Sequence, residues 1–183
     1  MLKTFSLLLL FLISCSPVLV TKADYDQDKF RLWDGPNSLS WDDFRGKPLD
    51  GALASEIYIS NPSKIERKTL FHPVILDAKT LFDRQKSWVR PNNTTDLLLR
   101  YNQVLFNIYE LHTRKLKKEF LKLNFSINSP TEIFFDLVNS INSELYNMVN
   151  NFREESKMGK EEAIINKWYD RIINQLEELN QYR

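Results

Sequence analysis

After residue 96 the chain changes period. From Asp96 to Lys122, from Ser129 to Phe152 and from Lys160 to Tyr182, apolar residues recur three and four apart, which places them on one face of an α-helix. The first stretch follows Thr94-Thr95, and either threonine can serve as its N-cap. On a helical wheel its polar stripe collects Arg100, Gln103, Asn107, Glu110, Arg114 and Lys118, with Tyr101, Leu105, Ile108 and His112 centring the apolar arc. The second stretch opens on a capping box, with Ser129 as N-cap, Pro130 at N1 and Glu132 at N3. It continues with Phe134, Leu137, Val138, Ile141, Leu145, Met148, Val149 and Phe152 at helical spacing. The third repeats Ile164/Ile165, Trp168/Tyr169, Ile172/Ile173, Leu176 and Leu179, and Gly159 punctuates the join.

Before residue 77 the pattern is that of strands and turns. Ser38 to Phe44 and Ala52 to Ser60 alternate apolar and polar residues between Gly35-Pro36-Asn37 and Asn61-Pro62-Ser63. Lys68 to Leu76 surrounds Pro73, which limits it to an edge strand or a bulge. Asp77 to Arg84 reads as a short helix or a strand connector, and Arg90 to Thr95 as a loop. The expected fold class is therefore α+β. A small, mostly antiparallel N-terminal sheet packs against a C-terminal half of three long amphipathic helices. The 183 residues, 43% hydrophobic and 13% aromatic, suit one domain with a real core. Four glycines fit long helices better than a sandwich full of tight turns.

The first residues read as an export signal. Met1-Leu2-Lys3 is a short positive start, and Phe5 to Ile13 is an apolar run too short to span a bilayer. Leu12-Ile13-Ser14-Cys15 resembles a bacterial lipobox, with cleavage after residue 14 and acylation of Cys15. Two or more acyl chains hold a protein stably at a membrane. A longer signal peptide, residues 1–23, cut after Thr21-Lys22-Ala23, is the other reading. In the first case residues 15–29 form a tether and residues 30–183 the domain, lipid-anchored to a bacterial envelope on its periplasmic or surface face. Cys15 is the only cysteine, so no internal disulfide and no cysteine catalysis is available. Formal charge is +1, falling to 0 when Lys3 leaves with the leader, and acidic and basic residues are interspersed. That balance argues against nucleic acid as a partner.

Several blocks of the chain resemble one family. Leu39-Ser40-Trp41-Asp42-Asp43-Phe44-Arg45-Gly46-Lys47-Pro48 follows a Leu-x-Trp-x-Asp-Phe-x-Gly-x-Pro signature. A small-residue strand at Ala52 to Ile59 and the pair Trp88-Val89 come next. Leu98, Leu99, Gln103, Phe106, Ile108 and Glu110 then match a helix running His-Glu-Gln-x-His-Phe-x-Ile-x-Glu after a Leu pair. Phe152-Arg153-Glu154-Glu155-Ser156-Lys157-Met158-Gly159 matches a Tyr-Asp-x-Glu-Thr-x-His-Gly element at Glu155 and Gly159. The chain thus resembles a bacterial secreted family described as Zn-dependent peptidases and catalogued as domain of unknown function 922.

The resemblance implies a zincin-like active-site helix. In such a helix two imidazoles four residues apart hold one Zn²⁺, and the glutamate between them activates the metal-bound water. Here Tyr101, Asn102 and Leu105 occupy those three positions, and Met158 replaces the further histidine. The implied scaffold is kept with its catalytic groups gone, so no metal or cofactor is expected. Two functions follow from this. One is a non-catalytic envelope protein with a binding or structural role, its ligand a peptide, protein or glycan. The other is a divergent metal-dependent hydrolase with a rebuilt site.

The plainer readings are structural. Tyr101 and Leu105 sit mid-arc and read as core. His112 reads as a hydrogen-bonded core histidine and His72, before Pro73, as a surface residue. Glu110 and Glu155 read as solvated or paired carboxylates, and Trp33, Trp41, Trp88 and Trp168 as core aromatics.

Overall fold

The computed structural model describes residues 25–66 and 73–183. One long helix organises them. Thr95, in extended backbone, accepts the Leu98 N–H on its side chain at 3.2 Å and starts α1 (Asp96–Lys122). The helix ends two residues before Asn124, whose φ of 47° is the left-handed stop that asparagine tolerates. Helix α2 (Thr131–Glu155) buries Phe134, Ile141, Leu145, Val149 and Phe152, and α3 (Glu162–Glu178) buries Ile165, Trp168, Ile172 and Leu176. Each shows α1 one apolar face, so α1 lies between them. No helix among the described residues is long and apolar enough to cross a membrane.

Among the described residues the N-terminal half adds seven short strands: β1 (Phe30–Leu32), β2 (Ser55–Glu56), β3 (Ile59–Ser60), β4 (Ser63–Glu66), β5 (Ile75–Ala78), β6 (Leu81–Asp83) and β7 (Trp88–Val89). Every pairing is antiparallel. They divide into one three-stranded sheet, β1-β6-β3, and two ribbons, β2-β7 and β4-β5. In the central strand Phe82 pairs with Arg31 on one side and Ile59 on the other. Its ring is fully buried, 5.8 Å edge-on from Phe106 of α1 and 5.2 Å from Phe44. That aromatic stack seats the sheet on the helix.

The α+β architecture matches expectation, and several local readings need correction. Ser38 to Phe44 is a loop with a short 3-10 turn at Trp41–Asp43, not a strand. The buried Asp43 carboxylate takes the Ser40 N–H at 2.9 Å and the Arg84 Nε–H at 3.0 Å, closing the chain into a turn. Gly46 then passes so close to the next loop that a Cβ would lie 2.7 Å from the Lys86 carbonyl oxygen. The Asn61-Pro62-Ser63 turn leads into β4, which alternation alone missed. Asp77 to Arg84 resolves into the end of β5 and all of β6. Of Lys68 to Leu76 only the last residues are described, and Ile75 begins β5. Helix α2 starts at Thr131 with Pro130 at the cap position, while Ser129 Oγ accepts the Ser126 N–H at 2.9 Å.

The largest correction concerns the polar stripe of α1. Gln103, Asn107, Glu110 and Arg114 are buried, because the loop from Trp33 to Leu39 and the end of α3 cover them. Gln103 Oε1 accepts the Leu39 N–H at 2.8 Å and its amide donates to Asn107 Oδ1 at 3.0 Å. Asn107 Oδ1 also accepts Trp33 Nε1–H at 2.8 Å, and its amide donates to the Pro36 carbonyl at 3.1 Å. Arg114 donates to Glu110 at 2.9 Å and to the Leu176 carbonyl at 2.7 Å, satisfying an orphan acceptor in the last turn of α3. The stripe is an internal seam, and each of these side chains has a named partner.

Candidate functional site

On another side of α1, near its N-terminus, lies a cleft of about 120 Å³. Three elements build it. Leu98, Tyr101, Asn102 and Leu105 come from α1, residues 53–57 from the strand β2 and its flanks, and Arg153 and Met158 from the end of α2 and the turn after it. All four positions that the resemblance singles out therefore share one cleft, although Met158 stands 57 residues beyond Tyr101. The Tyr101 hydroxyl lies 4.0 Å from Met158 Sδ.

The turn carrying Met158 is tightly constrained. Lys157, Met158 and Gly159 have φ of 49°, 57° and 91°, three consecutive left-handed residues of which only one is glycine. Met158 N–H donates to the Arg153 carbonyl at 2.8 Å, and the Ser156 carbonyl accepts from Gly159, Lys160 and Glu161. Gly159 also packs on the Tyr101 ring, where a Cβ would come within 3.0 Å of Cγ. Behind it Tyr101 stacks on Phe152 at 5.2 Å, and Phe152 meets Trp168 at 5.3 Å with the ring planes tilted. The turn thus presents Met158 to the cleft at the cost of local backbone strain.

The donor set does not fit zinc. Tyr101 and Asn102 offer neutral oxygens and Met158 a thioether, while Leu105 is 1% exposed and offers nothing. Asn102, where the activating glutamate would stand, donates to Ser55 Oγ at 3.2 Å, and an amide is no base. Among the described residues no group of three or more His, Cys, Asp or Glu is placed to hold a metal ion.

The electrostatics of the cleft come from two residues that sequence reading passed over. Arg153, half-buried, carries its positive charge into the cleft, and its buried Nε has no hydrogen-bond partner. Burial pushes the Tyr101 hydroxyl above its ordinary pKa of 10.0, and the adjacent Arg153 charge pulls partly the other way. Glu56, on β2, is the carboxylate among the lining residues. A signal for Arg153 was present: it stands where the family element has aspartate, a reversal of charge at a position two before its glutamate.

The other candidates lie elsewhere. His112 is 1% exposed, and its Nδ1 bonds the Ile108 carbonyl at 2.8 Å while buried Nε2 has no partner. Glu110 is the buried partner of Arg114, and exposed Glu155 accepts Trp168 Nε1–H at 2.7 Å. Trp33, Trp88 and Trp168 are buried, and Trp41 packs beside the core. Cys15 and His72 lie outside the described residues. No family model, curated protein or solved structure matches the chain.

Proposed function

We propose that this protein is a non-catalytic, lipid-anchored cell-envelope domain on a zinc-peptidase-like scaffold, using its cleft to bind rather than to cut. One observation carries the reading. Tyr101, Asn102, Leu105 and Met158, the positions marked by resemblance alone, converge on a single cleft with a strand along its border. That convergence is what a peptidase scaffold would require of them. Their chemistry points away from hydrolysis: none is an imidazole or a carboxylate, so these four positions supply neither metal capture nor water activation. The lipobox at Cys15 supplies the anchor. Glu56 supports the competing hydrolase reading, as a carboxylate in the same cleft.

Metal analysis of protein purified without chelator, alongside a peptide-cleavage assay, tests the proposal. The expected result is zinc at background and no cleavage. Restoring Tyr101→His, Asn102→Glu, Leu105→His and Met158→His together should raise zinc binding while lowering stability, since polar rings enter an apolar face. Stoichiometric zinc in the parent, lost to chelator along with hydrolysis, rejects the reading. Fatty-acid labelling that tags the parent and not Cys15→Ala supports the anchor; an untagged parent rejects it.

A further inference from the structure

We propose that the cleft binds the C-terminal carboxylate of a peptide, with Arg153 as the carboxylate-binding residue, an assignment that rests on the reading of the cleft as a binding site. The guanidinium is a planar fork of donors that matches a carboxylate, and Arg153 lines the cleft, so an anion there meets its positive charge. Among the described residues no carboxylate lies within 4 Å of it, Glu56 included. The Tyr101 hydroxyl beside Arg153 adds a neutral donor to the same end of the cleft.

Size and lining select the rest of the ligand. The cleft has room for a carboxylate and a small side chain. The walls beyond Arg153 are mixed, with Ser55, Glu56 and Asn102 beside Leu98, Leu105, Ala54 and Ile57, and the apolar part suits an alanine-sized group. Five consecutive residues, 53–57, border the cleft, so the strand meets it along an edge rather than by one face. Strand β2 pairs with β7 alone among the described strands, and an extended peptide can add along its other side. Glu56 on that strand disfavours further negative charge, so a dianionic phosphate is the poorer fit.

Nuclear magnetic resonance of methyl-labelled methionine in the full-length chain, held in mild detergent, tests the assignment. Met158 reports the cleft, and Met148 on α2, which does not line it, reports the fold. The probes are trialanine with a free carboxylate, trialanine amide and inorganic phosphate. The free acid is expected to shift Met158 saturably and leave Met148 in place. The amide should bind at least about tenfold more weakly, as should Arg153→Gln with the free acid, because each loses a charge-assisted hydrogen bond. Arg153→Lys should lie between. Equal binding of acid and amide, unchanged binding in Arg153→Gln, tighter binding of phosphate, or no shift at millimolar peptide overturns the assignment. A zinc-free, inactive protein that ignores trialanine loses only the carboxylate ligand; zinc with cleavage overturns the binding reading itself.

Discussion

Two sides of α1 carry polar residues into the interior and treat them in opposite ways. Along the seam, Gln103, Asn107, Glu110 and Arg114 are buried and each is tied to the Trp33–Leu39 loop, to α3 or to one another. On the cleft side Asn102 has Ser55, but Arg153 has an orphaned Nε, the Tyr101 hydroxyl has the Arg153 charge and a thioether beside it, and the Met158 turn is strained. A buried polar group is costly unless partnered, so a satisfied network is scaffold and an unsatisfied one marks a place kept for something else. One helix thus holds the fold with one side and offers a site with the other.

Removing a seam residue should give the largest effect. Asn107→Ala leaves Trp33 Nε1, the Gln103 amide and the Pro36 carbonyl without their partner, at roughly 1–3 kcal/mol for each orphaned group. A loss above about 3 kcal/mol in urea unfolding is expected, and a loss below about 1 kcal/mol would break the contrast. Leu105 sharpens it, being 1% exposed and yet lining the cleft. Leu105→Ala is expected to cost about 2–5 kcal/mol, near the lower end because the new space opens onto the cleft. Gly159→Ala, with φ of 91° and the Tyr101 ring in the way, should cost about 1–3 kcal/mol and lower the thermal midpoint.

The smallest effect is a pH dependence from the seam's neighbour. Burial holds the His112 imidazole below its ordinary pKa of 6.5, with Lys115 adding to this, and the Ile108 carbonyl and Glu144 opposing it. The unfolded chain therefore takes up a proton near pH 6.5 that the native state resists. Stability is full above that pH and falls as the pH drops below it. A His112→Phe variant should flatten the decline; a decline that persists unchanged assigns it to other groups.

Much of this was legible in the chain. Periodicity placed α1 at about Asp96–Lys122 with Thr94 or Thr95 as its cap, and Thr95 is the one used, because local hydrogen bonding and one apolar face settle a helix without distant help. The fold sets Met158 beside Tyr101, Asn102 and Leu105 of α1. What stayed hidden depends on partners remote in sequence. The α1 stripe looked solvent-facing because a helical wheel shows polarity, and only the folded loop at Trp33–Leu39 supplies the donors and acceptors that bury it. Ser38 to Phe44 alternated like a strand, but Asp43 found Arg84 across 41 residues and turned the chain. For Arg153 the reversed charge was legible, but its role was not, because whether an arginine is partnered is a property of its surroundings.

The contrast between the two sides rests most directly on two arginines measured alike. Arg114→Met and Arg153→Met, each unfolded in guanidinium as the full-length chain, compare a buried paired cation with a cleft cation awaiting a ligand. Arg114→Met strands Glu110 and the Leu176 carbonyl and is expected to lose about 3–5 kcal/mol. Arg153→Met is expected to stay within about 0.5 kcal/mol of the parent, as for a residue outside the stabilising network. If Arg153→Met costs as much as Arg114→Met, Arg153 belongs to the scaffold and the division between the two sides of α1 fails.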